Sequence, residues 1–146
     1  MNREFITKSA DETSSLGRRI GSLLRGGEIL LLNGDLGAGK TLITKGIADG
    51  LQPGLSSRVA SPSFTLVNIY NAKLDIIHVD LYRLDSEEIG QLGLEDYMDT
   101  DHVLVIEWAE RAQGFFTDKV IEIVITYLGE HSRKIGIFTE IPWISL

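Results

Sequence analysis

Residues 34–41 read Gly34-Asp35-Leu36-Gly37-Ala38-Gly39-Lys40-Thr41, the pattern G-x-x-x-x-G-K-[ST] of a phosphate-binding loop. Glycines in such a loop let backbone N–H groups turn inward on phosphate oxygens with no Cβ in the way. In this pattern Lys40 reaches the β- and γ-phosphates and the Thr41 hydroxyl sits on Mg²⁺. Eight residues can match by chance, so the flanks decide. Residues 28–33 form a short apolar run suited to a strand buried on both faces. Leu42, Ile43, Ile47, Ala48 and Leu51 then recur at helical spacing. Strand, glycine loop and helix come in the order that brings phosphates to a helix N-terminus. Gly37, Ala38, Gly39, Lys40, Thr41 and Leu42 are the expected nucleotide-binding residues.

Phosphoryl transfer from a nucleotide is mostly positioning and charge neutralisation, so a cleaving site needs a carboxylate beside the loop. Glu107 ends the aliphatic run Val103-Leu104-Val105-Ile106 in the manner of a Walker B strand, with Glu where Asp is commoner. It is expected to hold Mg²⁺ together with Thr41. Asp80 follows Ile76-Ile77-His78-Val79 near a strand end. There it can orient water, hold Mg²⁺ through water, or simply form a turn. Ser61, Ser63 and Thr65 lie in a proline-broken segment that is either a switch ordered by the γ-phosphate or a stiff connector. Trp108 can pack on a nucleotide or a partner, or fill the core rim. His78, His102 and His131 have no metal-ligand spacing, and with no cysteine in the chain no metal cluster is expected. Arg58, Arg83, Arg111 and Arg133 are open to a γ-phosphate role, and none is marked as a built-in arginine finger.

The elements that must position these groups read as follows. Residues 3–7 suit an edge strand, and Ser9 with Glu12 fits a capping box ahead of the stripe Leu16, Ile20, Leu23, Leu24. Gly26-Gly27 stops that helix. After the phosphate loop and its helix, Gln52-Pro53-Gly54 turns the chain. Residues 66–71 and 74–81 read as two strands across a tight turn, and residues 86–100 as an acidic stretch with a helix start at Ser86. A helical turn is expected over residues 109–113, and residues 120–128 and 134–141 alternate as a hairpin. The order predicts an α/β, P-loop NTPase-like three-layer fold, its central mixed β-sheet flanked by helices. With 146 residues and no linker or repeat, one domain over residues 1–146 is expected.

Composition narrows the function classes. No run approaches membrane-span length, and the N-terminus is too mixed for a signal peptide, so no membrane role is expected and a reducing cytoplasm fits. A formal net charge of −7 repels a polyanion, so any nucleic acid is expected to be held by a partner.

Four motifs together resemble one family, the bacterial TsaE (YjeE) ATPases. They are the phosphate loop, then Ser61-Pro62-Ser63-Phe64-Thr65-Leu66-Val67, then His78-Val79-Asp80-Leu81-Tyr82-Arg83-Leu84, then Ile106-Glu107-Trp108-Ala109-Glu110. Ser63 stands where the family usually has Thr, and Ala109 where it often has Pro. The resemblance implies Mg²⁺-dependent ATP hydrolysis, weak in the chain alone and raised by partners. That hydrolysis supports formation of N6-threonylcarbamoyladenosine on tRNA together with the TsaB and TsaD proteins. It implies Lys40 on phosphate, Thr41 and Glu107 on Mg²⁺, Asp80 assisting water or the metal, Trp108 near the nucleotide, and Arg133 within reach of it. Residues 10–13 would approach the adenine. Two other readings stand beside it. A small-molecule P-loop kinase normally carries an arginine-rich lid, and no such cluster is seen; a guanine-nucleotide switch needs an N-K-x-D element, which the chain lacks.

Overall fold

The computed structural model describes residues 1–35, 37–112 and 114–146. Leu36 of the phosphate loop and Gln113, the end of the expected helical turn, lie outside the described residues. The elements are β1 (Asn2–Thr7), α1 (Ala10–Leu23), β2 (Ile29–Asn33), α2 (Lys40–Leu51), β3 (Val67–Tyr70), β4 (Asp75–Asp80), α3 (Ser86–Gly90), β5 (His102–Glu107), β6 (Val120–Tyr127) and β7 (Arg133–Thr139). Short 3-10 turns cover Leu55–Arg58, Leu94–Tyr97 and Ala109–Ala112.

Seven strands form one sheet in the order β1-β7-β6-β2-β5-β4-β3. The pairs β6/β2, β2/β5 and β5/β4 are parallel, while β1, β7 and β3 attach antiparallel at the flanks. The mixed direction expected from the hairpins is present, and the apolar runs occupy the parallel centre, where both faces are covered.

Side chains alternate between the faces with period two. Leu30, Leu32, Ile76, Val103 and Val105 pack with α1 and α2 in one buried cluster. Leu104, Ile106, Ile77 and Val79 pack on the other face under α3 and the 3-10 turns at Leu94–Tyr97 and Ala109–Ala112. Two long helices therefore cover one face and short helical pieces cover the other.

Helix α1 starts at Ser9, whose Oγ accepts from Glu12 N at 3.1 Å. Glu12 reaches back to Lys8 N at 2.9 Å, one residue before the amide that the expected capping box would use. The full capping box occurs instead at α3, between Asp85 and Glu88.

Helix α2 carries the phosphate loop, and glycines seat it against α1. A Cβ at Gly46 would lie 2.4 Å from the Ser14 carbonyl oxygen, and one at Gly21 would lie 2.0 Å from that of Ile47. Gly17 and Gly50 meet backbone equally closely, so the helices touch main chain to main chain.

Candidate active site at the phosphate loop

The site forms where β2, β4 and β5 end beside the start of α2. Gly39 caps α2 with φ of 116°, a conformation open to glycine and costly to residues with a Cβ. The Ile43 N–H already bonds the Gly39 carbonyl, so the helix begins at the loop and its free amides face the opening.

A cavity of about 470 Å³ lies over this N-terminus. Its wall includes Gly37, Gly39, Lys40, Thr41, Leu42, Asp80, Glu107 and Trp108, so eight of the expected site residues come together. Ala38 and Arg133 line a smaller cavity of about 100 Å³ on the other side of the loop, with Ala10 and Thr13. The two cavities share Gly39 and Leu42.

Asp80 and Glu107 are partners in the parallel β4/β5 ladder, which sets both carboxylates side by side on the α2 face. Both are buried. Asp80 Oδ1 accepts from Tyr82 N at 2.8 Å, and Glu107 Oε2 lies 2.5 Å from Nε2 of fully buried His78. Among the described residues no group of three or more His, Asp or Glu side chains is arranged to hold a metal.

Lys40 is buried, and its ammonium donates to the carbonyls of Gly34 and Asp35. It sits 4.2 Å from the centroid of the Trp108 ring. Burial pushes its pKa below the ordinary lysine value, against the opposing pull of the Glu107, Glu110, Asp80 and Asp35 carboxylates. The ammonium is thus held out of water with carboxylates nearby, at the place where this loop pattern brings a phosphate.

Trp108 has φ of 57°, in the left-handed region that side chains seldom occupy. This turn directly after Glu107 lays the indole 4.7 Å from the Tyr82 ring centroid and over Lys40. Strain of this kind is found where a site requires it.

Ser61 and Ser63 face the main cavity, and their hydroxyls lie 2.8 Å apart. Thr65 is turned away and bonds Asn68 Oδ1 at 2.7 Å. Of the four arginines, Arg83 lines the main cavity, with its guanidinium 5.1 Å from the ring of the exposed Phe64. Arg133 braces the loop through Nε to the Ala38 carbonyl at 2.7 Å. Arg111 stacks over Tyr82, and Arg58 bonds the Asn71 carbonyl. Sequence reasoning gave no role to His78, Tyr82 or Tyr70. For His78 a signal was present: it lies two residues before Asp80 in a strand, hence on the same face.

The family profile described as "Threonylcarbamoyl adenosine biosynthesis protein TsaE" matches residues 7–135. The chain is 35% identical over 133 residues to the tRNA threonylcarbamoyladenosine biosynthesis protein TsaE of Treponema pallidum, covering 90% of this chain and 97% of that one. It is 40% identical over 137 residues to the protein of the same name from Aquifex aeolicus, covering 93% and 96%. Against the crystal structure of Bacillus subtilis YdiB the TM-score is 0.74 at 31% identity, over 94% of this chain and 84% of that one. The fold is accordingly P-loop NTPase-like, and the chain belongs to the TsaE family.

Proposed function

We propose that this chain is a Mg²⁺-dependent ATPase that supports formation of N6-threonylcarbamoyladenosine in tRNA, working with the TsaB and TsaD proteins. The observation that carries the reading is one cavity at the start of α2 that gathers Lys40, Thr41, Asp80 and Glu107. The cation-facing donors there are a hydroxyl and carboxylates. That hard-oxygen set suits Mg²⁺, which takes one or two carboxylates along with substrate phosphates. Thr41 and Glu107 would hold the ion, and when bound it would neutralise charge on the β- and γ-phosphates.

Lys40 binds the same phosphates, its ammonium gaining a charged partner in place of the water that burial has removed. Asp80 orients the attacking water. A new P–O bond forms to that water as the bond from the γ-phosphorus to ADP breaks. Ser61 and Ser63 respond to the γ-phosphate as a switch, and Trp108 lines the nucleotide. The adenine occupies the smaller cavity beside Ala10, Thr13 and Arg133, a placement supported by its sharing Gly39 and Leu42 with the phosphate cavity.

Turnover by the chain alone is slow in this reading, because Arg58, Arg111 and Arg133 are already held by the Asn71 carbonyl, the Tyr82 ring and the Ala38 carbonyl. Partners raise it. They also hold the tRNA, since a chain of net charge −7 makes a poor polyanion surface by itself. No helix is long and apolar enough to cross a membrane, and the proposed setting is the cytoplasm.

The test is phosphate release from ATP by the chain alone, with TsaB and TsaD, and with tRNA added. Slow release that rises in the complex supports the reading. Phosphate passed to a small acceptor without hydrolysis would support a kinase instead.

A further inference from the structure

Beneath the cavity lies a buried hydrogen-bonded chain that phosphate binding does not use. Its centre is His78, with no exposed surface. Nε2 lies 2.5 Å from Glu107 Oε2, and Nδ1 lies 3.0 Å from the Tyr70 hydroxyl. That hydroxyl is 3.1 Å from Ala60 N and 2.9 Å from the Ala60 carbonyl oxygen. The Ala60 carbonyl also accepts from Asn68 Nδ2 at 3.2 Å, and Asn68 Oδ1 accepts from the Thr65 hydroxyl at 2.7 Å. Both ends of the segment that presents Ser61 and Ser63 are therefore tied to one network that terminates on Glu107.

Counting donors gives the network a direction. An ionised Glu107 only accepts, so Nε2 carries a hydrogen. The Tyr70 hydroxyl has one hydrogen and lies within reach of two partners, the Ala60 carbonyl oxygen and His78 Nδ1. The Ala60 N–H donates to the Tyr70 oxygen, and the Asn68 amide serves the Ala60 carbonyl.

We infer that His78 is the positioning residue for Glu107, and that Tyr70 carries the placement of residues 60–65 to that carboxylate. The inference rests on the ATPase reading above. A carboxylate with one oxygen held by a rigid buried donor presents the other oxygen in a fixed direction. Without the donor it can turn toward the Lys40 ammonium. Partners in this outer position are typically worth about 10–100-fold in metal affinity or activity.

Three variants test this. His78→Asn keeps a polar group on the Tyr70 side but is too short to reach Glu107. His78→Gln places an amide donor on the Glu107 side. Tyr70→Phe removes one hydroxyl. ATP binding is measured by calorimetry in EDTA and across a Mg²⁺ titration, with kcat and KM read alongside. His78→Asn should need at least about tenfold more Mg²⁺ for half-maximal effect, while affinity in EDTA stays near wild type. His78→Gln should recover most of the loss. Tyr70→Phe should shift the Mg²⁺ requirement the same way by a smaller factor, and adding it to His78→Asn should have little further effect.

An unchanged Mg²⁺ requirement in His78→Asn overturns the inference, and so does an equal loss in EDTA, which would mark a merely structural residue. If His78→Asn does not fold, Tyr70→Phe decides: a wild-type Mg²⁺ requirement there overturns the inference. A wild-type protein that binds no ATP with Mg²⁺ refutes the ATPase reading itself, an outcome distinct from variants that match a competent wild type.

Discussion

Replacing Gly46 by alanine sets two known magnitudes against each other. In an exposed helix the change would gain about 1 kcal/mol from helix propensity. Here the new Cβ would sit 2.4 Å from the Ser14 carbonyl oxygen and 3.1 Å from Gly17 Cα, whereas ordinary contact begins at 3.4 Å. The obstacle is backbone, which cannot rotate aside, so α1 and α2 must part by about 1 Å. Forced overpacking costs roughly 1–3 kcal/mol, and a 2.4 Å approach to backbone belongs in the upper half of that range, so the clash wins by about 1–2 kcal/mol. For a chain of 146 residues, at about 2–4 °C per kcal/mol, the melting temperature should fall by roughly 2–8 °C in thermal unfolding followed by circular dichroism. Gly90→Ala is the control, because this exposed residue of α3 has nothing within 4 Å of a new Cβ; it should be as stable as wild type or more so, by up to about 1 kcal/mol. Since α2 begins at Lys40, the displaced helix should also weaken ATP binding. A Gly46→Ala protein that melts at or above the wild-type temperature would refute the glycine-seated contact.

Glu107→Gln should weaken Mg²⁺-dependent turnover more than Mg²⁺-free nucleotide binding; equal losses in the two assays would make Glu107 structural. Asp80→Asn should lower kcat by about 10²-fold or more with an unchanged circular-dichroism spectrum, and full-rate hydrolysis would remove Asp80 from the site. Asp49 offers a pH test of how α2 is anchored at its far end. Burial alone would raise its pKa, but hydrogen bonds from Ser56 and Gly54 and the nearby Arg18 hold it below the ordinary value of 3.8. A carboxylate depressed in the folded state adds stability above its unfolded pKa and loses it as pH falls through the folded value. The urea stability of wild type relative to Asp49→Asn should therefore be constant near neutrality and shrink below about pH 5. A difference that does not change with pH would contradict this.

Much of the site could be read in the chain before folding, because its positions follow from simple geometry. A strand that ends in a carboxylate beside a phosphate loop has few places to go. Parallel pairing of β4 with β5 then makes Asp80 and Glu107 neighbours on the face that α2 covers. Other parts were hidden for physical reasons. His78 sits in an apolar run and reads as an ordinary core histidine, since only the tertiary register shows that its two nitrogens face Tyr70 and Glu107. The left-handed backbone of Trp108 has no local signature, because no glycine marks it. The α1/α2 seat was visible in principle: Gly17 and Gly21, like Gly46 and Gly50, lie four apart and hence on one helix face. Without knowing that the two helices are neighbours, those glycines look only like weak helix formers. The short covering of the second face reflects the 86–100 segment, whose acidic residues support only the five-residue α3 and a 3-10 turn.

Calorimetric titration of MgATP into the wild-type chain and into Lys40→Ala addresses the phosphate loop most directly. One ATP should bind per wild-type chain, and the variant should bind about 10–100-fold more weakly, the worth of a charged hydrogen bond to phosphate. Equal affinity in the two proteins, or no heat of binding in the wild type, would contradict a nucleotide site at the start of α2.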